Sequence, residues 1–167
     1  FGIQYTDKEN KLTYPHQTSW GVTTRLIGAV IMTHGDDNGL VLPPAVAPKQ
    51  VMIIPIAQHK EGVLDKADEL FQRLKGKFRT GIDASEQSPG WKFAEYEMKG
   101  VPIRLEIGPK DIENNQCVLV RRDTMAKTFV SLDNLEAEIE ALLEDISKTL
   151  FNRAVERREH MTYSAEN

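Results

Sequence analysis

The side chains best suited to chemistry fall in one stretch dense in charges of both signs. Phe93 and Glu97 are four residues apart, so on a helix they share a face. Arg104 follows in a segment where Val101, Ile103, Leu105 and Ile107 alternate with Pro102, Arg104 and Glu106, the period of a strand with one apolar and one polar face. Lys110 comes just after it, and Lys127 belongs to a later strand-like run. A carboxylate accepts hydrogen bonds from base N–H groups, Arg and Lys donate to base acceptors, and an aromatic ring stacks on an unpaired base. Residues 89–130 hold Lys and Arg in near balance with Asp and Glu. Such a segment can read base edges but has no surplus charge to grip phosphate strongly. Each residue also has a plainer reading. Phe93 suits a core position, and Glu97 suits a pair with a nearby Lys on a solvated helix face. Glu106 suits a salt bridge with Arg104, worth little if exposed. Arg121 and Arg122 are neighbours on a strand and face opposite ways, so at most one shares the face of Arg104.

These groups need elements to hold them. Val51–Ile56 reads as a short buried strand. Gly62–Lys75 sets Val63, Leu64, Ala67, Leu70, Phe71 and Leu74 at helical spacing. Phe78–Ile82 reads as a strand, and Pro89–Lys99 as a helix with proline in its first turn and Gly100 as its stop. Val101–Ile107 is the alternating strand. Cys117–Arg122 and Lys127–Leu132 are strands about a turn at Asp123–Ala126. Asp133 starts a long helix with Leu135, Ile139, Leu142, Leu143, Ile146 and Leu150 on one stripe. The order β-α-β-α-β-β-β-α predicts an α/β domain, a mixed sheet flanked by helices. Ahead of it, residues 1–14 read as a turn-containing surface segment. Residues 26–32 are a nearly continuous apolar run that periodicity leaves open between a buried helix and a buried strand. His34–Gly39 is a turn cluster, Leu40–Leu42 a short strand, and the prolines at 43, 44 and 48 suit a stiff connector. The divisions expected are 1–44, 45–160 and a frayed tail, 161–167.

The 167 residues suffice for one domain and part of another. With 40% apolar and 28% charged residues the composition is that of a globular protein. No apolar run approaches the length of a bilayer span, and residues 1–11 lack the basic-then-apolar order of a signal peptide. The chain does not begin with Met, so a fragment of a longer protein is expected. Cys117 is the only cysteine, which excludes an internal disulfide and a multi-cysteine zinc site and fits a reducing cytoplasm. A net charge of −4 excludes nucleic-acid binding by bulk positive charge. Gly108-Pro109-Lys110 follows a strand but is too short and stiff for a phosphate loop, which argues against a small-molecule nucleotide domain. His16 and His34 lie in turn-like contexts, and no metal or acid–base role is expected of either.

Two segments resemble one family. His16-Gln17-Thr18-Ser19-Trp20-Gly21-Val22-Thr23-Thr24-Arg25, continuing to His34-Gly35-Asp36 and Gly39–Pro44, resembles the third signature motif of class II aminoacyl-tRNA synthetases in its prolyl form. Pro89-Gly90-Trp91-Lys92-Phe93 through Gly108-Pro109-Lys110-Asp111 resembles the anticodon-binding domain of prolyl-tRNA synthetases of the archaeal and eukaryote-like type. The resemblance covers nearly the whole chain, residues 1 to about 160, and two long matches in the right order are far more specific than one short motif.

The resemblance implies an aminoacyl-tRNA ligase that activates proline with ATP, using Mg, and passes it to tRNA(Pro). It implies residues 1–44 as the end of an antiparallel-sheet catalytic domain and 45–160 as the anticodon-binding domain. Arg25 matches the motif-three arginine that contacts ATP and is the catalytic candidate; its planar fork suits phosphate and adenine stacking. Thr23 matches a second nucleotide-side position. Ser19, Trp20 and Gly21 match a segment beside the proline pocket, where an aromatic wall suits the pyrrolidine ring and glycine admits close backbone approach. Phe93, Glu97, Arg104, Lys110 and Lys127 match positions that meet the anticodon, whose last two bases are guanines. Outside that family, Arg25 reads as a snorkelling or paired side chain and Trp20 as filler. The family's first two motifs are expected upstream of Phe1, so this chain alone is expected to bind tRNA without charging it, with no tightly bound cofactor and no metal. A homodimer in the cytoplasm, with no membrane contact, is implied for the full-length protein. The competing reading is a free-standing anticodon-binding accessory module without catalysis.

Overall fold

The computed structural model describes residues 1–165; of the tail expected at 161–167, positions 166 and 167 lie outside the described residues. Its centre is a five-stranded mixed sheet in the order β4-β3-β5-β6-β7. β3 (Val51–Pro55) runs parallel to β4 (Thr80–Ile82) and β5 (Ile103–Ile107), while β6 (Gln116–Arg121) and β7 (Lys127–Ser131) extend the sheet antiparallel. The parallel strands need crossovers, which are the helices α2 (Val63–Leu74) and α3 (Pro89–Met98). The mixed sheet flanked by helices is the α/β architecture expected from the order of elements.

One face of the sheet carries the main core. Val51, Ile53, Ile103, Leu105, Ile107, Cys117, Leu119 and Val130 meet the buried stripe of α2 and that of α5 (Leu135–His160). The stripe positions Val63, Ala67, Leu70 and Leu74 of α2 are fully buried, as are Leu135 and Ile139 of α5. Arg73 of α2 ties the two helices by pairing with Glu136 and donating to the Leu132 carbonyl at 2.8 Å. The other face is covered over β3 by α3, where Met52, Ile54 and Val101 pack with Ile56, Phe93 and Tyr96. Ser88 caps α3 through the Trp91 amide, and Gly100 ends it at φ 70°, a conformation that favours glycine.

Three elements differ from expectation. Leu40–Leu42 is not a strand: its amides at Leu40 and Leu42 donate to the carbonyls of Met98 and Gly100 at the end of α3, and Pro43-Pro44 has no N–H with which to extend a ladder. Gly108-Pro109-Lys110, read from the sequence only as too short and stiff for a phosphate loop, opens a short helix, α4 (Pro109–Glu113); Asp111 accepts from the Gly108 amide at its start. The long helix expected to start at Asp133 is preceded by a 3-10 turn over Leu132–Asn134, so that α5 begins at Leu135 and runs to His160. The open choice at residues 26–32 resolves as a helix, α1 (Arg25–His34), with no buried residue. Before it, β1 (Tyr5–Thr6) and β2 (Leu12–Thr13) close a small hairpin around the expected Asp7–Asn10 turn, so residues 1–44 contain one two-residue ladder and a helix, not a larger antiparallel sheet.

Candidate nucleic-acid interface

Strand register sets the polar face of β5. Met52, Arg104, Val120 and Lys127 lie in one row across the sheet, and Ile54, Glu106, Val118 and Phe129 in the next. α3 covers the β3 end of both rows, with Phe93 and Glu97 one turn apart on its inner side. Arg104 is therefore held between two elements. Its Nε donates to Glu106 Oε1 at 2.9 Å, its Nη1 pairs with Glu97 Oε1, and its guanidinium carbon lies 4.1 Å from the ring centroid of Phe93. That is a charge stacked on an aromatic face and clamped by two carboxylates.

The plainer readings of these residues thus come out in a particular form. Glu97 is paired, with Arg104 and not with a lysine. The Glu106 pair is not an exposed bridge of little worth, because Arg104 and Glu106 are 7% and 9% exposed. Phe93 does pack on the core, and it stacks on Arg104 as well. Oxygen Oε2 of each carboxylate and Nη2 of Arg104 have no hydrogen-bond partner among the described residues. Acceptors and donors are left side by side, the complement of a base edge that carries both.

Lys127 joins the cluster loosely, with its Nζ 4.0 Å from Glu106 Oε1. Lys110 stands apart: it is exposed on α4, beyond the end of β5, and makes no ion pair among the described residues. Phe129, which the sequence reading passed over, is 67% exposed in the row of Glu106. Its signal was an aromatic at an outward position of an edge strand, legible once the register is known. Neither adjacent arginine faces out beside Arg104. Arg121 is paired with Asp123 and with Asp145 of α5, and the Arg122 side chain is buried among protein acceptors.

Sequence reasoning also missed what fixes α3 in place. Lys92 is 1% exposed and donates to the Asp83 carbonyl at 2.9 Å and Gln58 Oε1 at 3.2 Å, with the Asp83 carboxylate 3.7 Å away. Tyr96 donates to Asp83 Oδ2 at 3.0 Å. Burial pushes the Tyr96 phenol up to about 12, and the Asp83 hydrogen bond adds to this. Burial opposes the charge of Asp83, but hydrogen bonds from Ser85 and Tyr96 and the charge of Lys92 outweigh it and leave that carboxyl below its ordinary value. Lys92 and Tyr96 are one helical turn apart, directly beside Phe93 and Glu97, so this buried network orients the face that meets Arg104.

The motif-three residues are placed differently. Ser19, Trp20, Gly21, Thr23 and Arg25 are all exposed in or beside an irregular stretch, and Trp20 is 92% exposed. Thr23 accepts from the Arg25 amide at 3.3 Å and so shapes the start of α1. The five are not gathered into a pocket. No group of three His, Cys, Asp or Glu able to hold a metal lies among the described residues. No described helix is long and apolar enough to cross a membrane.

The mixed sheet with its mixed-charge, aromatic-bearing face lies within residues 50–142, which match the family model described as "Anticodon binding domain"; the chain belongs to that family. Its similarity extends beyond those residues. It is 67% identical over 99% of its length to a protein of Ruminiclostridium cellulolyticum named as a proline–tRNA ligase, 64% identical over 99% to one from Clostridium novyi, and 62% identical over 100% to proline–tRNA ligase 2 of Bacillus cereus. The chain covers 34–35% of those three relatives, about one third of their length.

Proposed function

We propose that this chain is the anticodon-reading part of a proline–tRNA ligase, with the motif-three segment attached. In this reading residues 45–160 recognise tRNA(Pro), and residues 1–44 contribute Thr23 and Arg25 to ATP and Ser19, Trp20 and Gly21 to the proline pocket once the rest of the catalytic domain is present. Proline activation with ATP and Mg, transfer to tRNA(Pro), a homodimer and a cytoplasmic location belong to the full-length protein. The single observation that carries the reading is the Arg104 clamp: a guanidinium stacked on Phe93 and held by Glu97 and Glu106, with free acceptors and donors together on a partly open face.

A guanine presents N1–H and an amino group on its Watson–Crick edge, which a carboxylate accepts, and O6 and N7, to which Arg or Lys donates. Glu97 and Arg104 supply both halves. Lys127 and Lys110 add positive charge on either side, and Phe93 and Phe129 offer ring faces for stacking. The base meets Glu97 Oε2 and Arg104 Nη2, which the internal pair leaves unpartnered among the described residues; the net gain per base is modest, and discrimination comes from leaving these groups unpaired when the base is wrong.

The test is a titration of this chain with a tRNA(Pro) anticodon stem-loop and with the same loop carrying adenines at its last two positions, at one fixed salt concentration. Each wrong base is expected to cost about 1–3 kcal/mol, hence at least tenfold preference for guanine. Equal affinity for both loops would contradict the prolyl reading.

A further inference from the structure

Arg122 has no part in reading bases, yet it holds the element that does. Its Nε donates to the backbone carbonyl of Glu97 at 2.7 Å. Its Nη1 and Nη2 donate to Asp36 Oδ2 and Oδ1 at 2.7 and 2.6 Å. The side chain is 2% exposed, so its planar fork is spent on these partners. Asp36 lies far back in the chain, in the turn after α1, and the Arg122 guanidinium holds its carboxyl below the ordinary range. The same turn presses on the end of α3. Leu40 donates to the Met98 carbonyl at 3.0 Å, and a Cβ added at Gly39, whose φ is 128°, would fall 2.6 Å from Met98 Cα. Gly100 is equally close to Leu40: a Cβ there would lie 2.7 Å from the Leu40 carbonyl carbon. The last turn of α3, which carries Glu97, is thus gripped between the end of β6 and residues 36–42.

We propose that Arg122 is a positioning residue for base recognition and that Asp36 is its second anchor, so that residues 36–42 of the motif-three segment set the place of the Glu97 carboxylate. The proposal rests on the Glu97–Arg104 cluster being the anticodon reader. Hydrogen bonds weaken steeply with angle, so a small drift of the last turn of α3 removes the match to guanine while leaving charge and stacking in place. Arg122, Arg104 and Glu97 also border one small cavity, so a shift of Arg122 is felt directly at the pair that meets the base.

The experiment measures guanine-over-adenine preference, not affinity alone, on this chain with the two stem-loops. Asp36 is 41% exposed at its side chain, so Asp36→Ala is expected to fold. That variant should lose at least threefold in preference while binding the adenine loop as well as the unsubstituted chain does, because one negative charge is gone and no phosphate contact is removed. Arg122→Lys, which keeps the charge and loses the fork, should fall in the same way, and Asp36→Glu should restore part of the preference. A merely structural role would weaken both loops alike. Unaltered preference in Asp36→Ala and Arg122→Lys, beside a chain that does prefer guanine, overturns the positioning role alone. A chain with no preference before substitution overturns the anticodon reading and this proposal together.

Discussion

At the scale of single residues, Arg104 concentrates the account. It sits between two carboxylates and over a ring, with little solvent access. Removing it by Arg104→Ala leaves Glu97 and Glu106 facing each other with only the loosely placed Lys127 as counter-charge, and breaking a buried pair in this way costs about 3–5 kcal/mol. Loss of stability then obscures any effect on RNA. Glu97→Gln is the cleaner probe: it keeps shape and an acceptor but loses the charge. It is expected to reduce guanine-over-adenine preference about tenfold, with a midpoint of thermal unfolding close to that of the parent; unchanged preference would remove Glu97 from the reader. Cys117 gives a second expectation. Burial pushes its thiol up to about 12, with the nearby charge of Asp111 adding to this. Since the thiolate is the reactive form, native protein near neutral pH should resist a thiol reagent such as iodoacetamide and react on unfolding in urea. Rapid labelling of the native chain would mean that the strand holding Cys117 opens readily.

At the scale of elements, the sheet and its helices follow from apolar spacing. Of the stripe legible in the sequence, Leu135, Ile139, Leu143, Ile146 and Leu150 form the buried side of α5, and Leu142 lies at its edge, partly buried. Ile139→Ala there is expected to cost about 2–5 kcal/mol in urea unfolding, whereas Leu142→Ala, at a partly buried position, should cost less. An equal loss at the two positions would mean the stripe is misassigned. The pattern of β5 showed that Arg104 and Glu106 share a face, and the helical spacing of Phe93 and Glu97 showed that they do. Nothing in either pattern showed that the two faces meet, because that depends on α3 crossing back over β3. The same holds for Lys92, a residue usually found in solvent and here buried on a carbonyl and an amide. Leu40–Leu42 was misread as a strand because its backbone partners come from the end of a helix, a tertiary pairing that leaves no periodic trace. Phe129 follows a similar logic: its own strand pattern does not mark it, and only the register places it in the row of Glu106, across Val118.

For the whole molecule, residues 25–42 and the sheet domain are joined at three places, the Asp36–Arg122 pair, the approach of α1 to α5, and the Leu40 and Leu42 amides on the end of α3. The second joint has a pH dependence. Burial lowers the pKa of His34 at the end of α1 below 6.5, and the positive charge of Arg153 on α5 lowers it further. The unfolded chain therefore binds a proton on His34 at a higher pH than the folded chain does. Stability from this group is fully present above the unfolded value of about 6.5 and is lost as pH falls through it toward the lower folded value. Hydrogen exchange in the last turn of α1 should accordingly be slower at pH 7.5 than at pH 5.5 after correction for the intrinsic rate, and His34→Gln should flatten the difference. The outward side of α1 presents Leu26, Ile27 and Met32 to solvent, 55%, 62% and 74% exposed. Apolar exposure on that scale marks a surface made to be covered, and under the proposed function its cover is the rest of a catalytic domain.

The central claim is that a carboxylate and a guanidinium on the partly open face read the Watson–Crick edge of guanine. Inosine differs from guanine in lacking only the 2-amino group, so replacing the last two guanines of the anticodon stem-loop by inosine removes donors and changes little else. Binding of the guanine and inosine loops to this chain, compared at one salt concentration, is the most direct measurement. A charge-assisted hydrogen bond contributes about 1.5–3 kcal/mol, so the inosine loop should bind at least tenfold more weakly, and Glu97→Gln should narrow that gap. Equal binding of guanine and inosine by the parent chain would contradict carboxylate reading of the anticodon.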